Sequence, residues 1–93
     1  MRGTGTSVEP RAVDVRFPPG RPTCIEIELD TGVVVRAPLR LYPTLAKATR
    51  AQRAGARLMG RGLGIHWAAL DFDLSIGGIL LGIPERRTSR RVA

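Results

Sequence analysis

The run Thr23 to Leu29 limits the possible folds more than any other stretch. Ile25, Ile27 and Leu29 fall on one side of an extended chain, and Cys24, Glu26 and Glu28 fall on the other. A period of two is the signature of a half-buried β-strand, not of an amphipathic helix. Asp30-Thr31-Gly32 follows, with Gly32 available for a positive φ, and Val33-Val34-Val35-Arg36-Ala37 answers as a second strand. Together they predict a hairpin with a bulge. Upstream, Val13, Val15 and Phe17 alternate with Asp14 and Arg16, which reads as a third half-buried strand. Pro18-Pro19-Gly20-Arg21-Pro22 cannot continue it, because three of these five residues lack an N–H. The first third of the chain is therefore expected to be a three-stranded antiparallel meander.

Pro38 ends the meander. Residues 41–48 predict a short helix, with Pro43 suited to its first turn. Thr49-Arg50-Ala51-Gln52 has the spacing of a capping box, so a second helix should begin at Arg50 and be cut short by Gly55. On such a helix Arg50, Arg53 and Arg57 would line one face, and Ala51, Ala54 and Leu58 the other. Residues 56–60 and 63–67 read as strands around a glycine-rich turn, with Ile65 and Trp67 on one face and His66 on the other. Ile76, Ile79, Leu80 and Ile83 have the spacing of a final helix that Pro84 stops. The expected fold is α+β, a small antiparallel sheet (the meander plus one or two later strands) covered by short helices. Its 93 residues make one domain over residues 8–84, with a disordered N-terminus at 1–7 and a basic mobile tail at 85–93.

A single cysteine, Cys24, can form no internal disulfide, and no Cys/His cluster has metal-ligand spacing, so no cofactor is expected. The start has no apolar signal segment, and no apolar run approaches the ~20 residues that cross a bilayer, so the expected location is the cytoplasm, away from the membrane. The formal charge of +7 admits nucleic acid as a partner. Two features temper that reading. Four of the fifteen cations, Arg86, Arg87, Arg90 and Arg91, sit in the tail, and fourteen of the fifteen are Arg, a skew that a high-GC genome produces unaided. Arg50, Arg53 and Arg57 are the candidate phosphate contacts.

Residues 62–75, GLGIHWAALDFDLS, hold the only His and the only Trp. His66, Asp71 and Asp73 could converge as the centre of a small metal-dependent hydrolase. A metal site wants three or four ligands and a second shell, however, and the spacing H-x4-D-x-D is no known ligand pattern. Each residue also has a structural reading. Asp73 or Ser75 caps the last helix, Asp71 adds negative charge near the positive end of its dipole, Trp67 anchors a core or an interface, and His66 lies on the open face of its strand. These readings favour a non-enzymatic role.

The assembled stretches resemble the bacterial domain-of-unknown-function family 2442. They are the Asp30-Thr31-Gly32 turn, Pro38-Leu39-Arg40-Leu41-Tyr42-Pro43-Thr44-Leu45, Ala48-Thr49-Arg50-Ala51-Gln52-Arg53, residues 62–75 and Ile79-Leu80-Leu81-Gly82. The departures are Asp-Thr-Gly for the commoner Asp-Gly, Phe72 in place of an acid, and Gly77. The resemblance implies a protein-binding, antitoxin-like module paired with a small toxin-like protein from a neighbouring gene. It implies no enzymatic activity. The helix-turn-helix domain of some similar proteins has no counterpart in these residues. The candidate interaction residues are His66, Trp67, Asp71, Asp73, Ile79 and Leu80. The last helix shows apolar residues on more than one face, so a homodimer is expected when the partner is missing.

Overall fold

The computed structural model describes residues 9–20 and 22–85. The segments expected to be a disordered start (1–7) and, past Glu85, a basic tail lie outside the described residues.

The meander forms as expected. Strands β1 (Ala12–Arg16), β2 (Cys24–Leu29) and β3 (Val34–Pro38) pair antiparallel in that order. Ile25, Ile27 and Leu29 are buried on the inner face of β2. Arg16, Glu26 and Arg36 stand in one row across the outer face, bridged by Glu26. At the hairpin Gly32 takes a φ of 94°, its N–H bonds to the Leu29 carbonyl, and the Leu29 N–H bonds to Val33. This is the three-residue loop with a glycine bulge that the sequence predicts. β1 departs from the simple alternation. The register passes from Ala12 opposite Leu29 to Asp14 opposite Glu28, which leaves Val13 as an extra, bulged residue. Val13 therefore faces solvent, not the expected inner face, and Ala12 takes the core position.

The later strands number three, one more than the upper expectation, and they form a sheet of their own. Strands β4 (Ala56–Met59), β5 (Gly64–Trp67) and β6 (Phe72–Ser75) pair antiparallel in that order. β6 occupies the residues read as the approach to the last helix. Its partly buried Phe72 and Leu74 alternate with exposed Asp73 and Ser75. Four residues ending in a helix cap are too few for that alternation to stand out in the sequence.

The two sheets meet where β1 passes the turn between β4 and β5. In that turn Gly60, Arg61 and Gly62 have successive φ values of 58°, 58° and 89°. A Cβ on Gly62 would lie 2.4 Å from the Ala12 carbonyl oxygen, so only glycine allows this approach. Arg11 Nη1 donates across the junction to the Arg61 carbonyl at 3.1 Å.

Short helices close the core. A 3-10 turn at Leu39–Leu41 leads into α1 (Pro43–Ala46), with Pro43 in its first turn. α2 (Arg50–Ala54) has both bonds of the capping box, Gln52 N–H to Thr49 Oγ1 at 3.1 Å and Thr49 N–H to Gln52 Oε1 at 2.9 Å. α3 (Ile76–Leu80) ends earlier than its spacing predicts, because Gly82 adopts a φ of 71°. The Gly82 and Ile83 N–H groups then bond back to Ile79 and Gly78, the two bonds of a Schellman stop. Inner-face residues of both sheets, Tyr42 and Leu45 around α1, and Ile76 and Ile79 of α3 form one buried cluster.

The last described residue is anchored. Glu85 accepts from the Thr44 N–H at 2.9 Å and the Thr44 hydroxyl at 2.6 Å, and its own N–H bonds to the Leu41 carbonyl at 2.8 Å.

Candidate functional site

The stretch of residues 62–75 is a hairpin that starts in one left-handed turn and carries another. β5 and β6 are joined by a 3-10 turn at Ala68–Leu70 and by Asp71, whose φ of 49° puts it in the left-handed region that Asp tolerates. Asp71 is therefore a turn residue. The expected role beside the α3 dipole does not hold, because all of β6 separates it from that helix. The α3 cap is Ser75, whose Oγ accepts from the Gly78 N–H at 2.9 Å, and Asp73 takes no part in it.

The structure brings two of the three proposed hydrolase residues together. His66 and Asp73 are direct cross-strand partners, and the His66 Nδ1 is hydrogen-bonded to the Asp73 carboxylate. An ionised carboxylate only accepts, so Nδ1 carries the proton and donates. Asp71 does not join them, and among the described residues no three His, Cys, Asp or Glu side chains are grouped to hold a metal ion. Arg57 extends the row, since it pairs with His66 in register on β4. The outer face of the second sheet thus reads Arg57, His66, Asp73. Ser75, the hydroxyl further along β6, is engaged as the α3 cap.

Two of the candidate interaction residues, Trp67 and Ile79, lie in the core at 0% and 5% exposure. Trp67 packs on Phe72 with ring centroids 5.8 Å apart and donates from Nε1 to the Arg53 carbonyl at 3.1 Å. The buried tryptophan thus satisfies its one polar atom. Leu80 does face solvent, together with Leu81 at 77% and Ile83 at 53% exposure. Leu80 and Leu81 line an apolar groove of about 480 Å3 with Leu63, Pro10 and Gly77. Leu81 stands at the C-cap of α3 and not inside a helix that runs on to Ile83.

The expected arginine stripe is broken. α2 ends at Ala54, so Arg57 lies on β4 and not on the helix. Arg53 is committed inward. Its Nη1 donates to the carbonyls of Ala48 at 2.6 Å and Leu45 at 3.3 Å, and its guanidinium lies 5.7 Å from the centre of the Phe17 ring. Arg50 is exposed and makes no ion pair among the described residues. The three cations read as one phosphate-binding face therefore occupy three different settings.

The profile of a family described as "Protein of unknown function (DUF2442)" matches residues 12–85, from the first residue of β1 to the Glu85 anchor. The chain belongs to this family. Among solved structures, the crystal structure of a protein of unknown function from Rhodospirillum rubrum is 32% identical, with a TM-score of 0.74 over 86% of this chain and 95% of that one. The solution structure of an uncharacterised protein from Chromobacterium violaceum shares the fold at 19% identity, with a TM-score of 0.68 over 83% of this chain and 70% of that one. No curated protein matches the chain. No helix of the described residues is long and apolar enough to cross a membrane.

Proposed function

We propose that this DUF2442 chain is a non-enzymatic, antitoxin-like binding module that acts in the cytoplasm and docks another protein on the exposed side of α3 and the turn after it. The observation that carries this reading is the contiguous exposure of Leu80, Leu81 and Ile83 beside the groove of Leu63 and Pro10. Large apolar side chains grouped at the surface of a small domain mark a contact site. The local backbone supports the same reading. The Schellman stop at Gly82 sets the direction of Leu81 and Ile83 through backbone hydrogen bonds, so the patch is preorganised and loses little entropy when covered. Gly77 offers open space above it, because a Cβ there would meet nothing within 4 Å. In the free chain the same face pairs two copies about a two-fold axis.

The test is light scattering of the 10.1 kDa chain at micromolar concentration, alone and after co-expression with the protein encoded by the adjoining gene. A dimer or a mixed complex is expected, and Leu81→Asp is expected to abolish both while circular dichroism stays unchanged. A chain that is monomeric, does not retain the neighbouring protein, and is indifferent to Leu81→Asp would refute the reading.

A further inference from the structure

At the other end of β1 from the α3 groove lies a second concavity of different chemistry. It is a cleft of about 520 Å3 between the proline turn after β1 and α2. Phe17, Pro18, Pro19 and Pro22 supply an apolar wall, and Arg50 and Arg53 supply the opposite rim. None of the described residues lining it is acidic. We infer that this cleft binds an acidic segment of a partner protein, with a carboxylate held by Arg50 and Arg53 and a neighbouring bulky apolar side chain laid on Phe17 and the prolines.

The two arginines are suited to this task in different ways. Arg53 is fixed before any ligand arrives, by its two bonds to the Ala48 and Leu45 carbonyls and by the Phe17 ring beneath it. Both bonds use Nη1, and the other N–H groups of its guanidinium have no partner among the described residues. A guanidinium fork of this kind matches a carboxylate with two parallel hydrogen bonds. Arg50, in the first turn of α2, is exposed and able to swing onto the same group. The proline wall is stiff and offers no N–H groups, so recognition runs through side chains and not through addition of a strand.

The same observations disfavour nucleic acid. Arg16 lines the cleft on its sheet side, but it is already paired with Asp14 and lies within 3.5 Å of Glu26 and Glu28. A phosphate backbone continuing past the cleft would run along these carboxylates, and that like-charge contact opposes it. A short segment with one carboxylate does not reach them. The inference does not depend on the α3 interface. The two concavities lie at opposite ends of a stretch from Pro10 to Phe17, roughly 20 Å apart at about 3.3 Å per extended residue.

The test is an amide NMR titration of the full 15N-labelled chain with the blocked pentapeptide acetyl-Gly-Glu-Phe-Pro-Gly-amide. The arms are the same peptide with Gln for Glu, and a ten-residue thymidine oligonucleotide. Shifts confined to residues 15–20 and 50–56 are expected. Loss of the charge from the peptide, or Arg50→Gln in the protein, is expected to weaken binding about tenfold, the scale of one hydrogen-bonded charge. Arg57→Gln, outside the cleft, and Leu81→Asp, in the other groove, are expected to leave it unchanged. The inference is overturned by any of three results: no cleft shifts at millimolar peptide, Gln and Glu peptides that bind within twofold of each other, or an oligonucleotide that occupies the cleft more tightly than the peptide.

Discussion

Gly62→Ala tests the junction of the two sheets. Two costs add at this position. At a φ of 89° an L side chain is strained by about 1–2 kcal/mol. The new Cβ would also lie 2.4 Å from the Ala12 carbonyl oxygen and 3.0 Å from its nitrogen. Carbon and carbonyl oxygen normally approach no closer than about 3.3 Å. The clash is with backbone, so no rotamer change relieves it, and β1 must move outward by most of an ångström. Overpacking of that kind costs about 1–3 kcal/mol. The sum is about 2–5 kcal/mol, against a total stability of roughly 5–14 kcal/mol for a chain of this length. Urea unfolding followed by the fluorescence of Trp67, the one tryptophan and fully buried, measures the loss. Gly60→Ala is the control. Its φ of 58° lies where L residues are tolerated, and its Cβ would meet only the Leu63 Cβ at 3.8 Å, so about 1 kcal/mol is expected. If the two variants fall within about 0.5 kcal/mol of each other, the steric account of the junction is wrong.

Three further outcomes are expected from the same unfolding assay. Ser75→Ala loses about 1 kcal/mol with the α3 cap, and Asp73→Ala loses clearly less because its pair with His66 is exposed; the reverse order would move the cap to Asp73. Gly77→Ala gains about 1 kcal/mol of helix propensity because its Cβ meets nothing, and a loss would mean that the α3 backbone is more constrained than it looks. Tyr42→Phe gains about 1 kcal/mol, since the buried Tyr42 hydroxyl has no hydrogen-bond partner among the described residues. Burial also raises the Tyr42 pKa above its ordinary value of 10.0. The unfolded chain therefore ionises first as pH rises past 10, and the native chain should lose stability there. That loss should be smaller in Tyr42→Phe, and equal alkaline slopes in the two proteins would contradict it.

What could be read from the sequence follows the range of the forces involved. The meander, the capping box and the Pro43 helix start rest on contacts within a few residues, and each forms where its spacing predicts. The Val13 bulge, the early end of α3 and the left-handed Asp71 depend on where the chain must go next. Val13 turns outward because Ala12 is pinned against Gly62, fifty residues away. Of the candidate site, the pairing of His66 with Asp73 was within reach, because a tight turn between two strands sets residues seven apart opposite each other. The sequence lets His66 and Asp73 converge, but residues 72–75 read as the approach to a helix, so the strand pairing that sets the two opposite each other comes from the structure. The exposed apolar side of the last helix is legible in residues that cover more than one of its faces, whereas the proline cleft is out of reach, since it is made by segments distant in sequence.

Arg53 shows why charge alone misleads in a chain of this composition. On a helical wheel it is the middle of a solvent-facing basic stripe. In the fold its carbonyl takes the Trp67 N–H, its guanidinium ties down the end of α1 and the Ala48 turn, and its charge rests near Phe17. One residue thus joins the second sheet, both short helices and the proline turn. A small core gains from such a link, because each short helix is too brief to be stable alone. The same arrangement ties the cleft to the core. A ligand that uses the remaining N–H groups of Arg53 would tighten a contact that already holds Trp67, so occupancy of the cleft should raise the stability of the whole domain with the logarithm of ligand concentration once that exceeds Kd. Thermal melts with increasing Glu pentapeptide measure this. A midpoint that rises for the wild type and stays flat for Arg50→Gln is the expected result. A midpoint that ignores the peptide while the NMR shifts saturate would mean that the ligand binds the folded and unfolded chains alike, and the proposed pocket would lose its physical basis.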